Sequence, residues 1–594
     1  MELLPSLAFM SSASSFFAYG DAWSTILWIT SLTFVLFIVV PSVCWIWNRL
    51  KKNNRKTRFF YYSIAAVAII GATWSFLLPI AIDSGFHKDD DGPVLRQILL
   101  YATGGLLGVI TLGETHRKNN QEREKNENDH TRQVYAERRS RYTTAVEQLA
   151  NEKAPVRLGG IYTLTGLVDE WLADDSLTKD KQKEEGQVII NNLCSYIRSP
   201  FPLAEKIDEY EARKELKELE SKKPDTLLPD ESPKLNALRK RFEDSAEYQE
   251  PDNIAALQAA FHEEQDVRRA IFEEMSKRSS RVSVDKSMEV TVTPGAWSCF
   301  KFDFSRAPIF YPLNNLTIEQ GQFTSARFYG EADFQGAKFT KDANFRNAKF
   351  TRNADFRNTE FTGIAYFWEA DFTGTTSFGG AKFAKNADFR RAEFTGNTYF
   401  GDAYFRNVKF TENADFRNAK FTEEAYFGGT EFTGNADFRN TEFIGNADFG
   451  DEYLRGAKFA KNADFRNAKF TENAHFGHAE FTENAHFLGT EFSRNTSFDC
   501  AYFEKSAPIF ADDSGAARFS AQKDQQDYVF SVSRGSKPIN CGTATLDGKR
   551  FKIPLGAVLF DPDSWDEETK TYTRVSKPAK PLENSDTEEE KPTE

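Results

Sequence analysis

The sequence predicts a multidomain chain. An N-terminal α-helical membrane anchor leads to an α-helical middle region and then to a C-terminal β-helix solenoid. Three observations carry this reading. Phenylalanine recurs at almost every fifth or sixth position between about Ile318 and Phe503. Apolar runs near the N-terminus are each long enough to cross a bilayer. Between them, residues 116–300 are charge-rich and carry helical periodicity.

The solenoid follows from the spacing. Phe405, Phe410, Phe416, Phe421, Phe427 and Phe432 are separated by gaps that alternate between five and six. Neither gap fits the period of a helix or of a long strand. A short period sustained this long means stacked coils, each contacting its neighbours. A small residue, usually Ala, stands two before the Phe, as in Asn353-Ala354-Asp355-Phe356 and Asn347-Ala348-Lys349-Phe350. Residues two apart on an extended segment share a side. Ala and Phe therefore face inward, and the Asp, Glu or Lys between them faces out. The preceding Asn tolerates left-handed backbone and bonds nearby backbone groups, which suits a corner. Four units close a coil of about 22 residues, with coils about 4.8 Å apart. Phe334, Phe356 and Phe378 then stack in one interior column, and Phe389, Phe416, Phe438 and Phe465 fill the same core. The alternation slips at Phe400-Phe405-Phe410 and at Phe449-Leu454-Phe459. Each slip is expected to insert one extra unit and carry the Asp-Phe-Arg units to neighbouring faces.

The runs EADFQGAKF, NADFRNAKF, EAYFGGTEF and NAHFGHAEF resemble the pentapeptide-repeat family. This resemblance, over about a third of the chain, implies a right-handed, four-sided β-helix and no particular activity. The segment RYTTAVEQLANEKAPVRLGGIYTLTGLVDEWL, then NNLCSYIRSPF, resembles a helical module of a bacterial membrane-anchored group of pentapeptide-repeat proteins. AWSCFKFDFSRAPIF is similar to that group's lead-in strand.

Three spans are expected: Thr25 to Trp47, Phe60 to Ile82 and Leu95 to Gly113. Trp and Tyr residues flank the first two, where amphipathic rings prefer the interface. The first loop holds Arg49, Lys51, Lys52, Arg55, Lys56 and Arg58, whereas the N-terminal tail has no Lys or Arg. The positive-inside rule then places the N-terminus outside and everything after Gly113 in the cytoplasm. This depends on parity: two spans would leave the soluble part outside.

The domains are expected as a membrane anchor at 1–113, a helical module at 114–201 and a charged helical or linker region at 202–296. The β-helix follows at 297–510, then a small β-rich or irregular segment at 511–576 and a disordered acidic tail at 577–594. In the module, Ile161, Leu164, Leu167, Val168 and Trp171 form one apolar face, and Val188, Ile189, Leu193, Tyr196 and Ile197 another.

Chemistry is sparse. Cys44, Cys194, Cys299, Cys500 and Cys541 are dispersed without CxxC spacing. His475, His478 and His486 cluster in sequence but read as surface positions more readily than as metal ligands. Nucleophile, P-loop and zinc motifs are missing from the sequence, so no catalysis, cofactor or metal is expected. The expected partners are a lipid bilayer through residues 25–113 and a protein at the solenoid surface, without nucleic acid or small-molecule substrate. The alternative is a nucleic-acid mimic that inhibits a DNA topoisomerase. Mimicry needs a strongly negative surface, yet residues 323–505 hold 27 acidic and 23 basic side chains, a net of −4.

Overall fold

The structure is a computed structural model. It describes residues 92–581 apart from 224, 225, 227, 229, 230, 243–252, 285–289, 402–406 and 451–455, together with seven residues between 64 and 75. The chain divides into two compact units, Met1–Glu137 and Arg138–Glu594.

In the first unit, the helix α1 (Gly92–Leu149) starts and runs on for 58 residues. The third predicted span and the charged helix after it are thus one continuous element. Val94, Ile98, Leu100, Tyr101, Leu106, Val109 and Leu112 are exposed along its start. Among the described residues it is the one helix long and apolar enough to cross a membrane. Thr25–Trp47 and the loop from Arg49 to Arg58 lie outside the described residues. Of Phe60–Ile82, only Ile64, Val67, Ala68, Gly71, Ala72, Trp74 and Ser75 are described, all helical.

The second unit opens with α2 (Ala154–Leu172), α3 (Lys179–Arg198), α4 (Pro202–Ser221), α5 (Glu231–Phe242) and α6 (Ile254–Arg278). Pro155 sits in the first turn of α2, where its missing N–H removes no helical bond. Thr178 caps α3 and Asn253 caps α6, each side chain accepting a backbone N–H three residues on. Ile161, Leu164, Leu167, Val168 and Trp171 of α2 pack inward with Ile189, Ile190, Leu193, Cys194 and Ile197 of α3. Val188, assigned by its spacing to that face, is 50% exposed. Ile190 and Cys194 take its place because the buried stripe drifts around the helix.

The solenoid consists of two-residue parallel strands in four sheets, visited in rotation from Arg327 to Phe503. We name them by one strand each: sheet I (Arg327–Phe328), sheet II (Ala332–Asp333), sheet III (Lys338–Phe339) and sheet IV (Ala343–Asn344). Five-residue units end in sheets I and III, six-residue units in II and IV. Phe334 stacks on Phe356 at 4.9 Å and Phe356 on Phe378 at 5.0 Å. Phe389, Phe416, Phe438 and Phe465 form one column, each 4.8–4.9 Å from the next. All seven rings are buried.

The two slips do not move any unit to another face. Phe383 pairs with Phe410, and Phe432 with Phe459, so strands on either side of each insertion keep their sheet. Asp388, Asp415, Asp437 and Asp464 consequently lie in one continuous column of sheet IV. Phe405 and Leu454, read as inward positions, fall outside the described residues. The physical reason is register. A shifted face would lay a five-residue unit on a six-residue one and misalign every Phe column below it.

Further elements pack on both ends. Ser280 donates its N–H and Oγ to Glu319 at 2.7 and 2.8 Å, and Ser276 Oγ accepts the Thr317 N–H, so the end of α6 covers the first coils. At the other end, strands Arg518–Ser520 and Val558–Phe560 extend sheet I, and Tyr528–Val529 extends sheet II. Stacking therefore continues into the 511–576 segment. The cover over the first coils shields edges that would invite end-to-end association.

A buried ionic knot joins the helices to the first coils. Arg268 of α6, 1% exposed, donates from Nε to Glu264 Oε1 at 2.7 Å, and its other nitrogens reach the Ile197 and Ser199 carbonyls. Its guanidinium lies over Tyr196, Phe201 and Phe310 at 5.3–5.6 Å. Glu264 also pairs with Arg157 at 3.2 Å and accepts from Tyr196 Oη.

Two outcomes test this packing by chemical denaturation. Phe416→Asp buries an unpaired carboxylate in a ring column and should cost several kcal/mol, whereas Asp415→Asn, facing out, should cost about 1 kcal/mol or less. Equal losses would reverse the inward and outward assignment. Arg268→Ala removes the closest cation from buried Glu264, leaving it only Arg157 and Tyr196, and should cost about 3–5 kcal/mol.

Candidate interaction surface

The outward side chains form columns, one residue per coil. Sheet I reads Arg327, Lys349, Asp371, Glu393, Lys420, Glu442, Lys469, Glu491 and Arg518. Sheet III reads Lys338, Glu360, Lys382, Lys409, Glu431, Lys458 and Glu480. Opposite charges mostly alternate, with ion pairs such as Lys338–Glu360 at 3.5 Å, Lys458–Glu480 at 3.1 Å and Arg518–Glu491 at 2.7 Å. Asp371 beside Glu393 is an exception. Burial, opposed by Lys349, pushes its carboxyl above the usual range, and Glu393 adds to the rise.

Sheet IV is organised differently. Arg417 holds Asp415 through Nε and Nη2 at 2.9 and 2.7 Å, and its backbone N–H also donates to Oδ1. The same clasp joins Arg390 to Asp388, Arg439 to Asp437 and Arg466 to Asp464. Three of these arginines also reach the aspartate of the next coil, at 3.5–3.6 Å for Arg390–Asp415, Arg417–Asp437 and Arg439–Asp464. The hydrogen bonds to Asp388 and Asp437 raise Arg390 and Arg439 above the ordinary guanidinium range. At partly exposed positions each pair contributes about 0–1 kcal/mol, and together they cancel the negative line that a duplex mimic needs.

Asparagine does two jobs that its place before Ala does not separate. Asn347, Asn358, Asn418, Asn440 and Asn467 adopt left-handed backbone with φ 54–57°. Asn386, Asn413 and Asn435 instead form a ladder: each Oδ1 accepts the N–H of Asn413, Asn435 and Asn462 in turn, one coil on, at 2.9–3.3 Å. Which job falls to which Asn follows the unit length.

The histidines do not converge. His475 is in sheet II, His486 in sheet IV, and His478 holds a left-handed turn. No group of three or more His, Cys, Asp or Glu side chains able to hold a metal occurs among the described residues. Cys194 is buried in the helical module, which pushes its thiol up to about 12, and it is an inert core residue. The Arg268–Glu264 knot escaped the sequence reading. Its only local signal is the i, i+4 spacing of two charged residues, which more often marks an exposed pair.

A parallel solenoid with one aromatic per five or six residues is a defined structural class. Residues 323–371, 358–403, 405–452 and 454–500 each match the family model described as pentapeptide repeats (9 copies). The C-terminal region is thus a pentapeptide-repeat domain. No curated protein matches the chain, and no solved structure does.

The two asparagine classes should respond differently to substitution. Asn440→Gly should leave thermal unfolding nearly unchanged, since Gly adopts positive φ freely, whereas Asn440→Val should cost about 1–2 kcal/mol. Asn435→Gly should instead cost about 1 kcal/mol, because it deletes the ladder acceptor.

Proposed function

We propose that this chain is a membrane-tethered scaffold. Three N-terminal spans hold a right-handed, four-sided pentapeptide-repeat rod on the cytoplasmic side, where its faces engage a protein partner without catalysis. The observation that carries this reading is the rod itself. Its interior is filled by Phe and Ala, and its outer columns repeat at a fixed spacing with charges of both signs. An enzyme needs a concave site with convergent polar groups; a filled rod offers a long, stiff recognition surface instead. The exposed apolar start of α1 and the six basic residues from Arg49 to Arg58 support the tether and its orientation.

The topoisomerase-mimic reading fares worse, because the aspartates of sheet IV are each clasped by an arginine.

Proximity labelling from the solenoid in intact cells tests the scaffold, and reproducible cytoplasmic protein neighbours are expected. A cysteine introduced at Ser576, in a background without native cysteines, should resist impermeant reagents on whole cells. Efficient labelling would place the rod outside. The fragment from Arg138 to Pro581 should not inhibit DNA supercoiling at physiological salt. Dose-dependent inhibition at low micromolar concentration would replace the scaffold with the mimic.

A further inference from the structure

The clasped ladder of sheet IV breaks near its start. Asn344 occupies the aspartate position before Arg346, and the next coil carries Tyr366 and Trp368 where later coils carry Asp and Arg. Arg346 therefore lacks the carboxylate that neutralises Arg390, Arg417, Arg439 and Arg466. Its guanidinium lies 4.3 Å from the Tyr366 ring and 5.9 Å from Trp368, and its Nε is buried without a hydrogen-bond partner. Beside it is a recess of about 410 Å³, lined by Arg346, Trp368, Arg390, Arg391, Arg417 and Asn418. Four arginines and no carboxylate face this space. Asp388, Asp415 and Glu369 offset three of the four arginines from outside it, with Glu369 3.1 Å from Arg391. Arg346 remains as the excess cation.

We infer that this recess is the docking point for an acidic peptide segment of a protein partner. The inference rests on the scaffold reading and names the chemistry of the partner. A cation with a buried unmet donor, set against aromatic faces, is of the Arg and Trp/Tyr composition that dominates binding energy at protein interfaces. Arginine donors match carboxylates in paired geometry. A lone phosphate would leave most of the open recess filled with water. A nucleic acid would run its phosphates onto the aspartates of the adjoining coils. A carboxylate-bearing extended segment avoids both problems, since it can place an acid on Arg346 and Arg391 and lay apolar atoms on Trp368.

The test uses the full-length chain in detergent and a fluorescein-labelled peptide of alternating Glu and Gly, read by anisotropy at physiological salt. The wild type should bind it. Arg346→Gln should weaken binding about tenfold without changing thermal unfolding, and Trp368→Ala should also weaken it. Arg466→Gln, in the same column but away from the recess, should change it less than about twofold. No binding, or equal losses for Arg466→Gln and Arg346→Gln, would overturn the recess as a site, the latter by showing diffuse attraction. Displacement of the peptide by inorganic phosphate or by duplex DNA at equal charge would overturn the choice of ligand. The two readings separate in cells. Protein neighbours that persist around the Arg346→Gln solenoid, with no peptide bound in vitro, remove this inference and keep the scaffold. A wild-type solenoid with no protein neighbours removes the scaffold itself.

Discussion

Stacked phenylalanine rings set the geometry of the C-terminal region. Within a column, adjacent rings lie 4.5–5.2 Å apart and within a few degrees of parallel, as for Phe350 on Phe372 and Phe470 on Phe492. That spacing is the distance between hydrogen-bonded strands, so rings and backbone share one repeat. Each described Phe from Phe323 to Phe503 is buried to 0–1%, and full burial of such a side chain contributes about 1.5–3 kcal/mol. Columns of sheets IV and II meet edge to face across the core, for example Phe416 and Phe427 at 5.7 Å, an arrangement aromatic quadrupoles favour. Ala and Thr take the second inward position because no space remains for more.

Everything on the outside inherits this repeat, and the repeat creates an electrostatic problem. Identical residues in register would hold like charges about 5 Å apart along a face, which is destabilising. Sheets I and III meet it by alternating sign over most of their coils, as from Lys420 through Glu442 to Lys469. Sheet IV keeps its aspartates in line but inserts an arginine between each pair. The same demand for register explains why Phe383 still pairs with Phe410, and Phe432 with Phe459, although the chain between each pair is longer than in the other coils.

The helical region closes the rod and connects it to the chain before it. Asp169 of α2 accepts from Trp297 Nε1 at 2.9 Å and from Arg278 at 2.7 Å, binding α2, α6 and the lead-in segment together. Arg268 does the same for α3, α6 and Phe310 through a buried charge. Buried ionic groups add little net stability but penalise any arrangement that leaves one unpaired. They therefore fix which face of α6 lies on the first coils.

The sequence alone determined the solenoid, its inward Phe and Ala positions, the coil of four units and the near-neutral outer surface. Those properties follow from periodicity and composition, which are local and repeated many times. It also marked the apolar start of α1, because a long uncharged run is legible without partners. Tertiary structure decided what depends on residues about a coil or more apart. It kept Asp388, Asp415, Asp437 and Asp464 in one column across two insertions. It divided asparagine between left-handed turns and inter-coil ladders. It left Arg346 unclasped beside Trp368 and buried Arg268 against Phe310. A period states which residues face inward, but the register between coils decides which outward residues become neighbours, and only the folded chain fixes that register.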